Sequence, residues 1–413
     1  MHIIGRKTDK FVRCVVELNG NILKWVWLTT LNAMTSEKIT SLLNKFNDID
    51  EIYNAKEEEY KDIDLINQRD IISLSDKDTK TAQKVIEETK KLGAYIVTYD
   101  SSEYPERLKY ISYPPYVLYV KGEMKLNDDM LGIGVVGTRK MNEYGKEVTE
   151  KFSFELARSG FTVISGLATG VDAVAATSAI RAGGNTIAVL GCGIEKDYPK
   201  RNRNLRKNIE KCGAVVTEYP PGTKPLPANF PQRNRIIAGL SECVIVTQAP
   251  KTSGALITAN YANDMGKEVF CVPASIFDAY SIGNNNLIKS GATPVTSSKD
   301  ITELYKHRLT KFVPKEIRMD IEALEEKPKG IKGVVEKIKE KVIKPSINDE
   351  RYKNLDETQR IIMELIIENE KISVDEIIRK TNLPPAKIGA TLSMMEMTGV
   401  VKKMPGNFYV ISL

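Results

Sequence analysis

The chain has 413 residues, 42% of them hydrophobic and 28% charged, with a net charge of +6, the composition of an ordinary globular protein of roughly two to four domains. Its two histidines, His2 and His307, argue against a histidine-based triad or a multi-histidine metal site. The five scattered cysteines, Cys14, Cys192, Cys212, Cys243 and Cys271, form no C-x-x-C pair and fit a reducing compartment, and no apolar run is long enough to span a bilayer. The expected setting is the cytoplasm, without membrane contact.

Residues 1–94 read as a small helical, SAM-like domain. Trp25, Leu28 and Leu31, then Ile39, Leu42, Leu43 and Phe46, recur at helical spacing. The stretch from Tyr99 to Gly122 is rich in Tyr and Pro and predicts a packed connector leading to a strand at Tyr116–Val120. From residue 95 to 305 the pattern alternates. Strands are predicted at Ile133–Val136, Thr162–Ile164, Thr186–Leu190, Ala214–Thr217, Cys243–Thr247 and Val269–Val272, with helical patterns at Gly145–Ser159, Val171–Ala182, Arg201–Lys211, Gln232–Gly239 and Gly254–Met265. Apolar strands separated by helices define an α/β fold with a parallel sheet covered on both faces, whose ligands bind beyond the carboxyl ends of the strands. Residues 306–350, dense in Lys and Glu, read as a charged linker. Residues 351–413 read as three helices and a hairpin about Pro405-Gly406, a winged-helix module.

Charge is concentrated rather than spread. Ten Lys or Arg face three acids between Lys196 and Arg235, so this window holds +7 and the remainder is slightly negative. Such focusing fits a polyanionic partner; a solvated helix face is the plainer alternative. Four predicted strand ends carry small or donor-rich turns, Gly191-Cys192-Gly193 being one of them. Gly132-x-Gly134-x-x-Gly137 matches a dinucleotide expression, but its first two glycines fall inside a strand, in the wrong register for a turn entering a helix. What remains is the strand end itself, where Gly137 permits close backbone approach and Arg139 offers a fork of donors, or simply a solvated side chain. Ser165 to Asp172, including Gly166, exposes backbone amides at a helix start or else packs tightly there. Ser253 and Gly254 end another strand with further donors. Phe230-Pro-Gln-Arg-Asn-Arg places Arg233, Asn234 and Arg235 beside a helix start, with Lys224 just upstream. Phe230 or Tyr198 is suited to stacking a base, unless Phe230 is a core ring. Together these features predict a basic, glycine-floored groove that grips phosphates.

The residues from about 95 to 305 resemble the bacterial DNA-processing protein A family (DprA, also called Smf). The resemblance rests on Gly137-Thr-Arg139 with Tyr144-Gly145, Ser165-Gly166 with Gly170-Val-Asp172, Tyr198-Pro199 with Asn202, Phe230-Pro-x-Arg-Asn-Arg-Ile-Ile-Ala-Gly-Leu240, Ser253-Gly-x-Leu-Ile-Thr-Ala259 and Asn286-x-Leu-Ile288. It implies an extended Rossmann-like core that binds single-stranded DNA and forms a homodimer, in a recombination mediator that protects incoming strands and helps load the RecA recombinase during natural transformation. By motif match, Gly137, Arg139, Phe230, Arg233, Asn234 and Arg235 line the groove; Lys224 is added on charge and proximity. No cofactor or metal is implied. The sequence departs from the family pattern at Asn142, Ala176 and Ala274, where Ser, His and Gly are usual. The competing reading is a nucleotide-binding hydrolase of the related superfamily, which would need a carboxylate base after this turn; Lys251-Thr-Ser-Gly254 and the Ile257-Thr-Ala259 that follows supply none there.

Overall fold

The computed structural model describes residues 19–124, 131–309, 355–369, 372–381, 383–398, 400–404 and 408–411. Chain contacts divide it into two units, residues 1–326 and 327–413. Cys14, His2, nearly all of the predicted linker and the Pro405-Gly406 turn lie outside the described residues.

The first unit opens with helices α1 (Asn19–Thr30), α2 (Ser36–Lys45), α3 (Ile49–Asn54), α4 (Gln68–Ser75) and α5 (Lys80–Lys91). Local chemistry sets several of their starts: Asp48 accepts from the Glu51 amide, and Asn67 and Asp70 form a reciprocal capping box. These helices do not close a core of their own. Trp25, Trp27, Leu28, Ile39 and Leu42 share one buried cluster with Tyr116, Tyr119, Leu190 and Val215 of the sheet region. Trp25 stacks on Tyr116 with ring centres 5.5 Å apart. In the connector, Tyr104 and Tyr116 are buried as expected, but Tyr110 and Tyr113 are exposed.

The core sheet has nine strands: β1 (Tyr95–Thr98), β2 (Val117–Gly122), β3 (Gly132–Val136), β4 (Thr162–Ser165), β5 (Thr186–Val189), β6 (Ala214–Thr217), β7 (Cys243–Val246), β8 (Glu268–Cys271) and β9 (Thr293–Pro294). Their order is β1-β2-β6-β5-β4-β3-β7-β8-β9, and every pair from β6 to β9 is parallel. β1 and β2 extend it as an antiparallel edge. The chain winds outward from β3 through β4 to β6, then returns to β7 on β3's other side. The result is a Rossmann-like doubly wound sheet whose switch point lies at β3 and β7. The central strands are buried throughout, as fits a parallel sheet with helices on both faces.

The covering helices are α6 (Glu106–Lys109), α7 (Glu143–Arg158), α8 (Val171–Arg181), α9 (Arg203–Cys212), α10 (Asn229–Leu240), α11 (Ala255–Asp264), α12 (Ile282–Lys289) and α13 (Lys299–Tyr305). Cys192, Cys212, Cys243 and Cys271 are free and buried, behaving as small hydrophobes. No helix among the described residues is long and apolar enough to cross a membrane.

The second unit contains α14 (Glu357–Asn369), β10 (Ile372–Ser373), α15 (Val374–Thr381), α16 (Pro385–Met397), β11 (Val401–Met404) and β12 (Phe408–Ile411), its strands ordered β10-β12-β11. This is a winged helix, with Ile362, Ile366, Ile388, Leu392 and Tyr409 in its core.

Candidate nucleic-acid interface

The carboxyl rim of the parallel strands holds a cleft of about 680 Å³. The turn after β3 supplies Gly137 to Lys140. Ala168 and Asp172 follow β4, Tyr198 follows β5, Pro225 and Pro227 follow β6, and Ser253 and Gly254 follow β7. The strand ends picked out in the sequence therefore meet at one rim, at the switch point where such sheets take ligands.

Helix α10 forms the central wall, and its phase decides which motif residues face the cleft. It begins at Asn229, three residues earlier than the sequence pattern predicts, so Pro231 sits in the first turn, where its missing amide hydrogen is tolerated. Phe230, Arg233, Asn234 and Ile237 recur at helical spacing, and all four line the cleft. Arg139 is exposed and has no carboxylate partner among the described residues. Its guanidinium carbon lies 5.6 Å from the centre of the Phe230 ring. Tyr198 leans against the same ring at 5.3 Å, tilted by 35°. A cation over the half-buried Phe230 ring, with the exposed Tyr198 ring beside it, is a platform for an anionic, π-bearing ligand.

Arg233 plays a different part from Arg139. Its guanidinium is buried and donates to the Gly166 carbonyl at 2.8 Å and to the Val189 carbonyl. It thus ties α10 to the ends of β4 and β5 and presents only part of its surface beneath Phe230. Burial lowers its pKa, and Asp172 opposes that shift. Burial in turn raises the Asp172 pKa, and Arg233 counteracts it.

Two expectations are corrected here. Arg235 does not line the cleft: it sits roughly 200° around the helix from Arg233, buried, with both terminal nitrogens 2.6 Å from the Glu218 carboxylate and Nε 2.8 Å from the Tyr113 carbonyl. The loop amides after β4 are not bare either. The Asp172 carboxylate accepts from Gly166 at 3.1 Å and Ala168 at 3.2 Å, filling the place an external anion would take.

Residues 95–306 match the family described as DNA recombination-mediator protein A, and residues 349–407 match the DprA winged helix domain. The chain belongs to the DprA family. It is 36% identical to protein Smf of Synechocystis over 337 residues, 78% of this chain and 82% of that one. It is 42% identical to the DNA processing protein DprA of Bacillus subtilis over 229 residues, 55% of this chain and 77% of that one. The X-ray structure of DprA from Streptococcus pneumoniae superposes with a TM-score of 0.60 at 32% identity, covering 68% of this chain and 95% of that one.

The departures from the DprA pattern are accommodated locally. Asn142 caps α7 by accepting from the Gly145 amide at 2.9 Å, as a serine would. Ala176 is packed in the core shared with the front helices, and Ala274 is pinned by Asn285 in both directions. Lys224 is exposed but does not itself line the cleft, although the next residue, Pro225, does. Sequence reasoning missed Tyr280, a wall residue brought in when Asp278 accepts from Gln248 and Ser281; nothing local in the sequence signals that closure.

Two glycines are fixed by packing. A Cβ on Gly137 would lie 2.5 Å from Val171 and 2.7 Å from the Gln248 carbonyl, so this glycine lets the end of β3 pass close to α8 where it lines the cleft. A Cβ on Gly166 would lie 2.4 Å from the held guanidinium of Arg233. Gly166→Ala is therefore expected to cost about 1–3 kcal/mol by overpacking, read as a lowered denaturation midpoint, and to weaken DNA binding by displacing α10.

Proposed function

We propose that this protein binds single-stranded DNA in the cleft without cleaving it, and that it acts in the cytoplasm as a recombination mediator that protects incoming strands and helps load RecA. The supporting observation is the exposed Arg139 held over the Phe230 ring, against which Tyr198 leans. A duplex hides its base faces in its own stack, whereas an unpaired strand can offer a base to the rings and a phosphate to the guanidinium. Homodimer formation and RecA loading are carried over from family membership alone.

The hydrolase reading requires a carboxylate free to activate water. Asp172 reaches the cleft, but its carboxylate is committed to the Gly166 and Ala168 amides beside Arg233. That arrangement suits a structural clamp.

Fluorescence anisotropy with matched single- and double-stranded oligonucleotides tests the proposal. Single-strand affinity is expected to exceed duplex affinity by at least about tenfold at the same salt concentration. Equal affinities would defeat the cleft assignment, and steady release of free base from nucleoside monophosphates would replace mediation with catalysis.

A further inference from the structure

The basic window found in the sequence does not converge wholly on the cleft. Arg233 and Arg235 are buried, and much of the remaining charge lies on the outer face of α9. Arg203, Lys207 and Lys211 are four residues apart, exposed, and aligned along one stripe, each step rising roughly 6 Å. Nearby acids leave this stripe largely uncompensated. Buried Arg206 engages Glu210 at 3.0 Å and Asp197 at 3.7 Å, and Glu218 is the partner of Arg235. Arg203 keeps a partial partner, Asp197 at 3.0 Å. Lys207 and Lys211 pair with no carboxylate among the described residues. An ordinary solvated helix face mixes signs at i,i+4 spacing; this one does not.

The chain runs from the cleft straight into the stripe. Tyr198 lines the cleft, and the turn after it leads directly into α9. Asn202 fixes the start of the helix by donating to the carbonyls of Leu167 and of the cleft residue Ala168, both at 3.0 Å. Since β5 and β6 are parallel, α9 must run from the carboxyl rim back toward the opposite edge of the sheet.

We infer that Arg203, Lys207 and Lys211 form a second phosphate-binding segment that carries a single strand out of the cleft past Tyr198 and down the flank of the molecule. The inference rests on the cleft being the strand's seat. Its ligand is the phosphodiester backbone, so it adds affinity without sequence preference.

The test compares the full chain with Lys207→Ala/Lys211→Ala on oligothymidylates of about 6 and about 25 nucleotides. Alanine at exposed helical positions preserves the helix, and an unchanged melting curve verifies this. The long oligonucleotide is expected to bind about tenfold more weakly, with a salt slope shallower by about 1.4 for two lost phosphate contacts. Binding of the short one, confined to the cleft, should be unchanged. Unchanged affinity and slope on the long strand overturn the inference and leave an acidic protein surface as the stripe's partner. Equal losses at both lengths overturn it too, since the lysines would then act on the cleft. Arg139→Ala, run in parallel, separates the two readings: if it leaves both lengths unaffected, the cleft assignment fails independently of the stripe.

Discussion

Arg235→Ala is expected to cost about 3–5 kcal/mol of folding stability, the penalty for orphaning one half of a buried ion pair. Arg235 joins three parts of the chain. Both terminal nitrogens meet Glu218, Nε meets the Tyr113 carbonyl, and one terminal nitrogen reaches the Ser36 hydroxyl at 3.3 Å. Removing the guanidinium leaves the Glu218 carboxylate, 15% exposed, without its countercharge, and detaches α10 from the front helices at the same stroke. The readout is built in. The chain's two tryptophans, Trp25 and Trp27, lie in the core those helices share with the sheet, so their fluorescence reports unfolding of this unit during a urea titration. Glu218→Gln should lose less, because the amide oxygen still accepts one hydrogen bond. A wild-type midpoint for Arg235→Ala, together with lost DNA affinity, would return this arginine to the groove.

Arg235 also marks what could and could not be read from the sequence. The motif Arg-Asn-Arg announced a cationic helix, but two residues on a helix stand on nearly opposite sides. Positions 230, 233, 234 and 237 were available as one face from spacing alone once the helix start was set at Asn229. Placing that start at Gln232 put both arginines beside the helix end and concealed the division between a cleft residue and a buried anchor. The parallel strands β3 to β8 were legible because each is a short apolar run set between helical patterns, four of them ending in small or donor-rich turns. β1 lacks that signature, and β9 and β10 are two residues long, too short for any period to show. The Gly166 loop is legible as a run of amide donors or of tight packing, but the acceptor those amides meet is not. Asp172 lies six residues further on, and only the folded turn reveals that the chain fills its own anion site. The front helices were legible as helices, yet their amphipathic faces did not tell that they would pack on Tyr116 and Tyr119 of the sheet region as well as on one another.

The strongest expected effect on binding belongs to the platform itself. Phe230→Ala should weaken single-strand binding by about 1–3 kcal/mol, the worth of one base stacked on an aromatic ring, without the stability loss of Arg235→Ala, because Phe230 is only half-buried. Arg139→Ala should lower affinity and make the salt slope shallower by about 0.7, one phosphate contact on a single strand. Because Arg139 lies over the Phe230 ring, the two losses should not add: deleting the ring removes the surface that holds the guanidinium in place, so the double variant loses less than the sum. Phe230→Leu separates stacking from bulk, since it preserves much of the apolar volume but has no π face. If Phe230→Leu binds as tightly as the unaltered protein, the ring is packing rather than platform, and the cleft grips the strand by charge alone.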